Sequence, residues 1–331
     1  MAEDITSVLS AYPIKSKYIK HITDLLYYID VGDQAYALKK STLSNDTINQ
    51  WQQVYDLANY YHFSFVLPVM LTRDGNLFVM SNDHIYYMTP WINHKNYSTK
   101  NFYRSLGKLH AQTKRIFEVN IEQIEQNFTT YKETCQQALT TVLHTVQQFE
   151  RQIYMSPFEL QVCTHYRHIE HIIEKLISTI DQFVNEIKSQ REWSYSLCHG
   201  NLQIEHVVAT DNTYLINWEQ AHFEHALTDL TTFFKQSKLF SFPRKSFITS
   251  FSTYLEENEL TISEHLLLCI YLLDPAKYVK VIQQYNDERH QDTMINYVKA
   301  LEQAFRQLLF GLQWIDHYEQ EINTIFAEDD S

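Results

Sequence analysis

The sequence predicts an α+β chain of two lobes, a small mixed β/α lobe over residues 1–92 and a large, mostly helical lobe over residues 93–331. Three observations carry this expectation. β-Prone runs crowd the first ninety residues, 3.6-residue periodicity governs most of the remaining chain, and short β-like runs with polar turns interrupt that helical pattern at 192–217.

In the first lobe, 23–31 and 34–39 read as strands joined by a hairpin at Gly32-Asp33. Ile48, Trp51, Val54, Tyr55 and Ala58 fall at helical spacing within 45–61. The apolar run from Phe63 to Leu71 reads as a strand despite Pro68, and Arg73-Asp74-Gly75-Asn76 as a turn into Leu77–Met80. Ile85–Met88 then leads through Thr89-Pro90 to Trp91-Ile92, giving the order β-β-α-β-β-β. Helices are expected over Phe102–Lys114, Ile121–Ile153, Phe158–Ile187, Ser246–Glu257, Ser263–Leu273 and Met294–Ile322. Ser156-Pro157-Phe158-Glu159 has the form of a capping box with proline in the first turn, so a break near 155 separates two long helices.

Composition removes several chemistries. The five glycines are Gly32, Gly75, Gly107, Gly200 and Gly311, no two closer than 32 residues. A dinucleotide fingerprint, a P-loop and a G-x-S-x-G elbow each need two close glycines, because backbone must approach phosphate or turn sharply there. The net charge of −13 argues against a nucleic-acid partner, whose affinity rests on Lys and Arg displacing counterions. The first residues lack the basic flank and apolar stretch of a signal peptide, and no apolar run approaches membrane-spanning length, so a soluble cytoplasmic protein without a membrane partner is expected. Cys135, Cys163, Cys198 and Cys269 form no C-x-x-C pair and are expected as reduced thiols, not zinc ligands. His165, His168 and His171 recur every third residue; that spacing drifts around a helix, which favours solvated side chains over a metal face.

The interruption at 192–217 holds the chemistry-bearing residues. His199-Gly200-Asn201-Leu202 is followed by Leu215-Ile216-Asn217-Trp218-Glu219, and then by Asp229-Leu230. With Lys39 in Tyr36-Ala37-Leu38-Lys39-Lys40 and Leu106-Gly107-Lys108-Leu109-His110, this order and spacing resembles the aminoglycoside and choline kinase superfamily, whose pattern is H-G-D-x-x-x-x-N and then I-D-W-E. The resemblance runs from about residue 20 to 310. It implies a bilobal protein-kinase-like fold, with Lys39 at the phosphate-clamping position and Met88 and Trp91 near the base of any nucleotide.

Phosphoryl transfer needs a carboxylate to take the acceptor proton and oxygen ligands to hold Mg²⁺ on the phosphates. Against that pattern, Asn201 stands for the catalytic aspartate, His206 for the metal-binding asparagine and Asn217 for the metal-binding aspartate. An amide is non-basic, and loss of a general base alone costs on the order of 10²–10⁴ in rate. No glycine lies between residues 15 and 31 to form a flexible phosphate cover, and 44–61 offers only Asp46 and Asp56 as acidic partners for Lys39. No active catalytic residue, metal site or cofactor is therefore expected; ATP and Mg²⁺ enter only if Glu205, Asp211 or Glu219 replaces the missing carboxylates. His199 is expected to bond to backbone near the second loop, with Asn217 as its candidate partner, and Asn201 and Asn217 to tie the loops together.

Among non-catalytic members of the superfamily, the Tyr86–Trp91 hinge, the Tyr154–Leu160 break and the two amide-bearing loops are most similar to CotS-type spore coat proteins, including the YsxE-like branch. That likeness implies a pseudokinase made in the mother-cell cytoplasm and carried into the spore coat, with other coat or coat-assembly proteins as partners. Its alternatives are an active small-molecule phosphotransferase and an ATP-binding sensor without turnover.

Overall fold

A computed structural model describes residues 2–93, 98–236, 244–287 and 292–329. They form two compact units. The first reaches to Lys114 and takes in Tyr195–Asp229 and Ser250–Asn258; the second holds Arg115–Ser194, Leu230–Thr249 and the chain from Glu259 onward.

The first unit opens with α1 (Ala2–Ser10) and a sheet of β1 (Tyr18–Thr23), β2 (Leu26–Asp30), β3 (Ala35–Ser41), β4 (Val79–Ser81) and β5 (His84–Pro90), in the order β1-β2-β3-β5-β4 with every neighbour antiparallel. The β2–β3 hairpin turns at the expected place. Strand alternation divides the residues of β3 and β5 between two faces. Leu38 and Met88, paired across the strands, join Ile29 and Tyr86 in a core sealed by Ile5, Val8, Leu9 and Tyr12 of α1 and its exit. Burying each such side chain contributes about 1.5–3 kcal/mol. Lys39 and Tyr87, the next pair in the register, face the other way. There α2 (Ile48–Tyr61) sets buried Trp51 against Tyr87, with ring centroids 5.0 Å apart.

Phe63–Leu71 corrects the expected strand. Phe63, Phe65, Val66 and Leu67 are buried, but apart from an isolated Val66–Leu215 bridge the segment has no ladder, and Pro68 has no N–H to donate to one. The rest of this unit comprises α3 (Thr99–Thr113), the end of β7 (Glu192–Cys198), a short 3₁₀ turn at Ile204–His206, the β8 (Val207–Ala209)–β9 (Thr213–Leu215) hairpin, β10 (His222–Glu224) paired to β7, the start of α6 (Leu227–Phe234), and α8 (Ser252–Leu255).

The second unit begins with β6 (Arg115–Glu118) and is built on the long helices α4 (Ile121–Glu150) and α5 (Pro157–Gln190), packed with α9 (Ile262–Leu272), α10 (Ala276–Asp287) and α11 (Met294–Asp329). The capping box forms: Ser156 Oγ accepts the Glu159 N–H at 3.2 Å, and the Glu159 carboxylate accepts the Ser156 N–H at 2.7 Å. The helix expected over Ser246–Glu257 is two shorter ones, α7 (Arg244–Thr249) and α8. His165 is another correction, since it is buried and stacked on Phe305 with ring centroids 3.6 Å apart, while His168 and His171 are exposed. All four cysteines are free. No helix among the described residues is long and apolar enough to cross a membrane.

Candidate functional site

The two amide-bearing loops and Lys39 lie together in the first unit, held by a buried carboxylate. Asp229, at the start of α6, accepts the backbone N–H of His199 at 2.6 Å and that of Gly200 at 3.0 Å. His110 of α3 stands 3.4 Å from the same carboxylate and bonds the Tyr254 hydroxyl at 2.9 Å through its other nitrogen. Burial pushes the Asp229 pKa up, but the hydrogen bond and charge of His110 and the bond from the His199 backbone outweigh it, leaving the group below the ordinary carboxylate value.

His199 Nε2 donates to the Ile216 carbonyl at 2.8 Å, so its partner is backbone beside Asn217 and not the Asn217 amide. Its ring packs on Trp218 and His206, and its buried Nδ1 has no hydrogen-bond partner among the described residues. Burial lowers its pKa. His206 donates from Nδ1 to the Asn201 carbonyl at 2.8 Å, and burial, then His199, pushes its pKa down to about 4, which makes it neutral at pH 7. The Asn201 side-chain oxygen is turned to Gln203 Nε2 at 2.8 Å, within its own loop. The two loops are therefore tied by His199 to Ile216 and by the Ile216 N–H to the His206 carbonyl at 3.0 Å, not by the two asparagines.

Asn217 has φ +70°, a left-handed conformation that asparagine tolerates better than most residues and that often marks functional loops. Its Oδ1 accepts from Lys39 Nζ at 2.8 Å. The same ammonium forms an ion pair with the Glu219 carboxylate, which also accepts the Tyr87 hydroxyl at 2.8 Å. The acidic partner of Lys39 thus comes from the second loop and not from α2. Burial would raise the Glu219 pKa, yet the charge and hydrogen bond of Lys39 and the hydrogen bond from Tyr87 lower it, keeping it ionised near neutrality. Glu205 and Asp211 are exposed on the 3₁₀ turn and at the hairpin tip, so Glu219 is the one of the three candidate carboxylates that meets Lys39.

A cavity of about 350 Å³ opens against this cluster. Leu26, Ala37, Leu67, Leu215 and Trp91 supply apolar surface, and Lys39, Tyr87 and Asn217 bring polar atoms. Trp91 meets Tyr28 edge to face at 5.0 Å. Met88 does not line the cavity. One residue from Tyr87 along β5, its side chain belongs to the core on the opposite face.

The residues present do not suit Mg²⁺. Lys39 Nζ already meets Asn217 Oδ1 and Glu219 Oε1, and His206 offers a neutral nitrogen where a hard ion favours oxygen. Among the described residues, the group of three or more His, Cys, Asp or Glu ligand atoms close enough to share an ion is His110, Cys198 and Asp229, all fully buried; its carboxylate already serves the loop backbone.

No protein-family model matches the chain, and no curated protein matches it in sequence. Solved structures do match. An aminoglycoside phosphotransferase from Alicyclobacillus acidocaldarius superposes with a TM-score of 0.69 at 14% identity, covering 96% of each chain. Spectinomycin phosphotransferase, in its AMP-bound complex, gives 0.55 at 16% identity over 94% of this chain and 98% of its own. Amicoumacin kinase gives 0.54 at 12% identity over 93% and 92%. The fold is that of these kinase-like small-molecule phosphotransferases, a sheet-bearing N-terminal region followed by a helical C-terminal part.

Proposed function

We propose that this chain is a pseudokinase, a kinase-fold protein that transfers no phosphate and works through protein contacts. The observation that carries the reading is Asn201, a non-basic amide where the pattern has the proton-accepting carboxylate, with its side-chain oxygen turned to Gln203 within its own loop. The finer assignment, a spore coat component or coat-assembly factor carried from the mother-cell cytoplasm into the coat, rests on the sequence likeness of the hinge, the helix break and the amide-bearing loops to CotS-type proteins. Other coat proteins are the partners it implies. ATP and Mg²⁺ have no part in this reading.

A second reading is favoured by one observation. Glu219 and Asn217 share one ammonium, so a carboxylate does stand beside the metal-loop position. An active phosphotransferase would use Glu219 in place of the missing aspartate, after Lys39 had been drawn onto phosphate. Two measurements separate the readings. Purified protein incubated with ATP and Mg²⁺ should release no phosphate, whereas turnover abolished by Glu219→Gln supports the second reading. Tagged protein followed in sporulating cells should move from the mother-cell cytoplasm to the coat, and deletion should alter spore resistance or germination. A protein that stays dispersed, with unchanged spores, contradicts the coat assignment.

A further inference from the structure

We infer that β1 is a docking edge for an extended, acidic segment of a partner protein, which adds to the five-stranded sheet as a further strand. The inference gives the protein contacts of the pseudokinase reading a surface, and rests on that reading for there being a partner. β1 ends the sheet, with β2 on one side, and all six of its residues are exposed. Every second backbone N–H and C=O of such a strand points away from its neighbour, a row of donors and acceptors with which another strand can pair. The opposite end strand offers less. β4 is three residues long and packs beside α1.

Charge decides what kind of strand fits. Residues 14–22 carry Lys15, Lys17 and Lys20 and no acidic residue, in a chain whose net charge is −13. All three lysines are exposed, and they meet no carboxylate among the described residues. Asp30, opposite Tyr18 in the register, turns its carboxylate to the Gly32 N–H at 2.6 Å, and Asp24 stands beyond the register shift that follows His21. Lysines on an edge keep identical edges apart, because pairing sets like charges opposite one another, and the same charges draw in an acidic strand. A second copy of this chain is thereby disfavoured and a partner of opposite sign favoured. Protection of the edge does not account for its apolar residues. Tyr18 shares one face of β1 with Lys20, Ile19 shares the other with His21, and both apolar side chains are exposed, as is Ile22. An added strand would cover such side chains with cross-strand contacts on both faces.

The probe is an acetylated seven-residue peptide alternating Glu with Val and labelled with fluorescein, whose anisotropy follows binding to the full chain. It is expected to bind. An analogue with Gln for Glu, and one that keeps its charge but has its central amides N-methylated, should each bind at least tenfold more weakly. The first reports on charge and the second on strand pairing. Lys17→Glu/Lys20→Glu, at two exposed positions, should weaken the parent peptide at least tenfold with thermal unfolding unchanged. The peptide series needs no variant, so it stands even where the variant folds poorly. No binding, binding indifferent to N-methylation, or a dimer of the native chain in light scattering that the same variant dissolves overturns the inference. Phosphate release from ATP with Mg²⁺, followed in parallel, reports separately on the pseudokinase reading.

Discussion

The carboxylate of Asp229 accepts the backbone N–H of His199 at 2.6 Å, with both residues fully buried. That bond, with its neighbour from Gly200, fixes the loop carrying Asn201 whether or not any chemistry takes place there. The loop is thus fixed through its backbone, independently of the side chain at position 201.

Removing the Asp229 carboxylate should cost far more than an average substitution. Asp229→Ala leaves two buried N–H groups and His110 without their acceptor, and a loss of about 3–5 kcal/mol is expected in urea unfolding. Asp229→Asn keeps one acceptor oxygen and should lose less. Because the folded pKa lies below the ordinary value, the stabilisation is complete above the unfolded pKa and fades as pH falls below it and through the folded one.

Gly200 should tolerate no side chain. Its φ is +77°, and an added Cβ would lie 2.0 Å from the Gln220 carbonyl oxygen, a backbone atom that cannot swing aside. Gly200→Ala should cost about 3 kcal/mol or more. Gly75, at φ +80° with nothing within 4 Å of such a Cβ, separates the two causes: Gly75→Ala should cost only about 1 kcal/mol, from backbone strain alone. Equal losses in urea unfolding would remove the close approach of the two loops from the explanation.

Protons should be taken up on acid unfolding. His165, His206 and His265 each have a pKa pushed down to about 4, in every case by burial first. The unfolded chain binds protons at these residues below about pH 6.5 while the folded chain stays neutral there until about pH 4. Stability should therefore fall as pH drops from 6.5 to 4 and change little from these groups below that. Calorimetry near pH 5 in buffers of different ionisation enthalpy should register uptake of up to about three protons from them, and His265→Phe should remove one.

The pair at the site should be more costly to break than to delete. Lys39→Met leaves Glu219 buried without its cation and should destabilise by about 2–4 kcal/mol, whereas Lys39→Met with Glu219→Gln should recover a large part of the loss. Equal stability of the single and double variants would mean that the ion pair does not hold this region together.

Much of the fold was legible from local signals. The Gly32-Asp33 hairpin and the Ser156–Glu159 capping box each occupy a few adjacent residues and depend on little else. The segments read wrongly, or not at all, depend on distant partners. In Phe63–Leu71 only Phe63, Phe65, Val66 and Leu67 are buried, an apolar run that imitates a strand without providing a ladder. β1 is exposed at every position and so shows no period-two burial, and α10 is rich in Val, Ile and Tyr, which read as β-prone. At the site, the loops and Lys39 stood out by motif order. The Lys39–Glu219 pair did not, since nothing within α2 or the first lobe announces a partner so far along the chain; the one hint was that α2 lacks a glutamate.

With the amide of Asn201 where an acceptor proton would be taken, no phosphate should be transferred. The most direct test is release of phosphate from ATP with Mg²⁺ by the purified native chain, beside the Asn201→Asp/Asn217→Asp double variant. The native chain should give a rate indistinguishable from the protein-free blank. Sustained turnover by the native chain, lost when Lys39 is replaced, would contradict it.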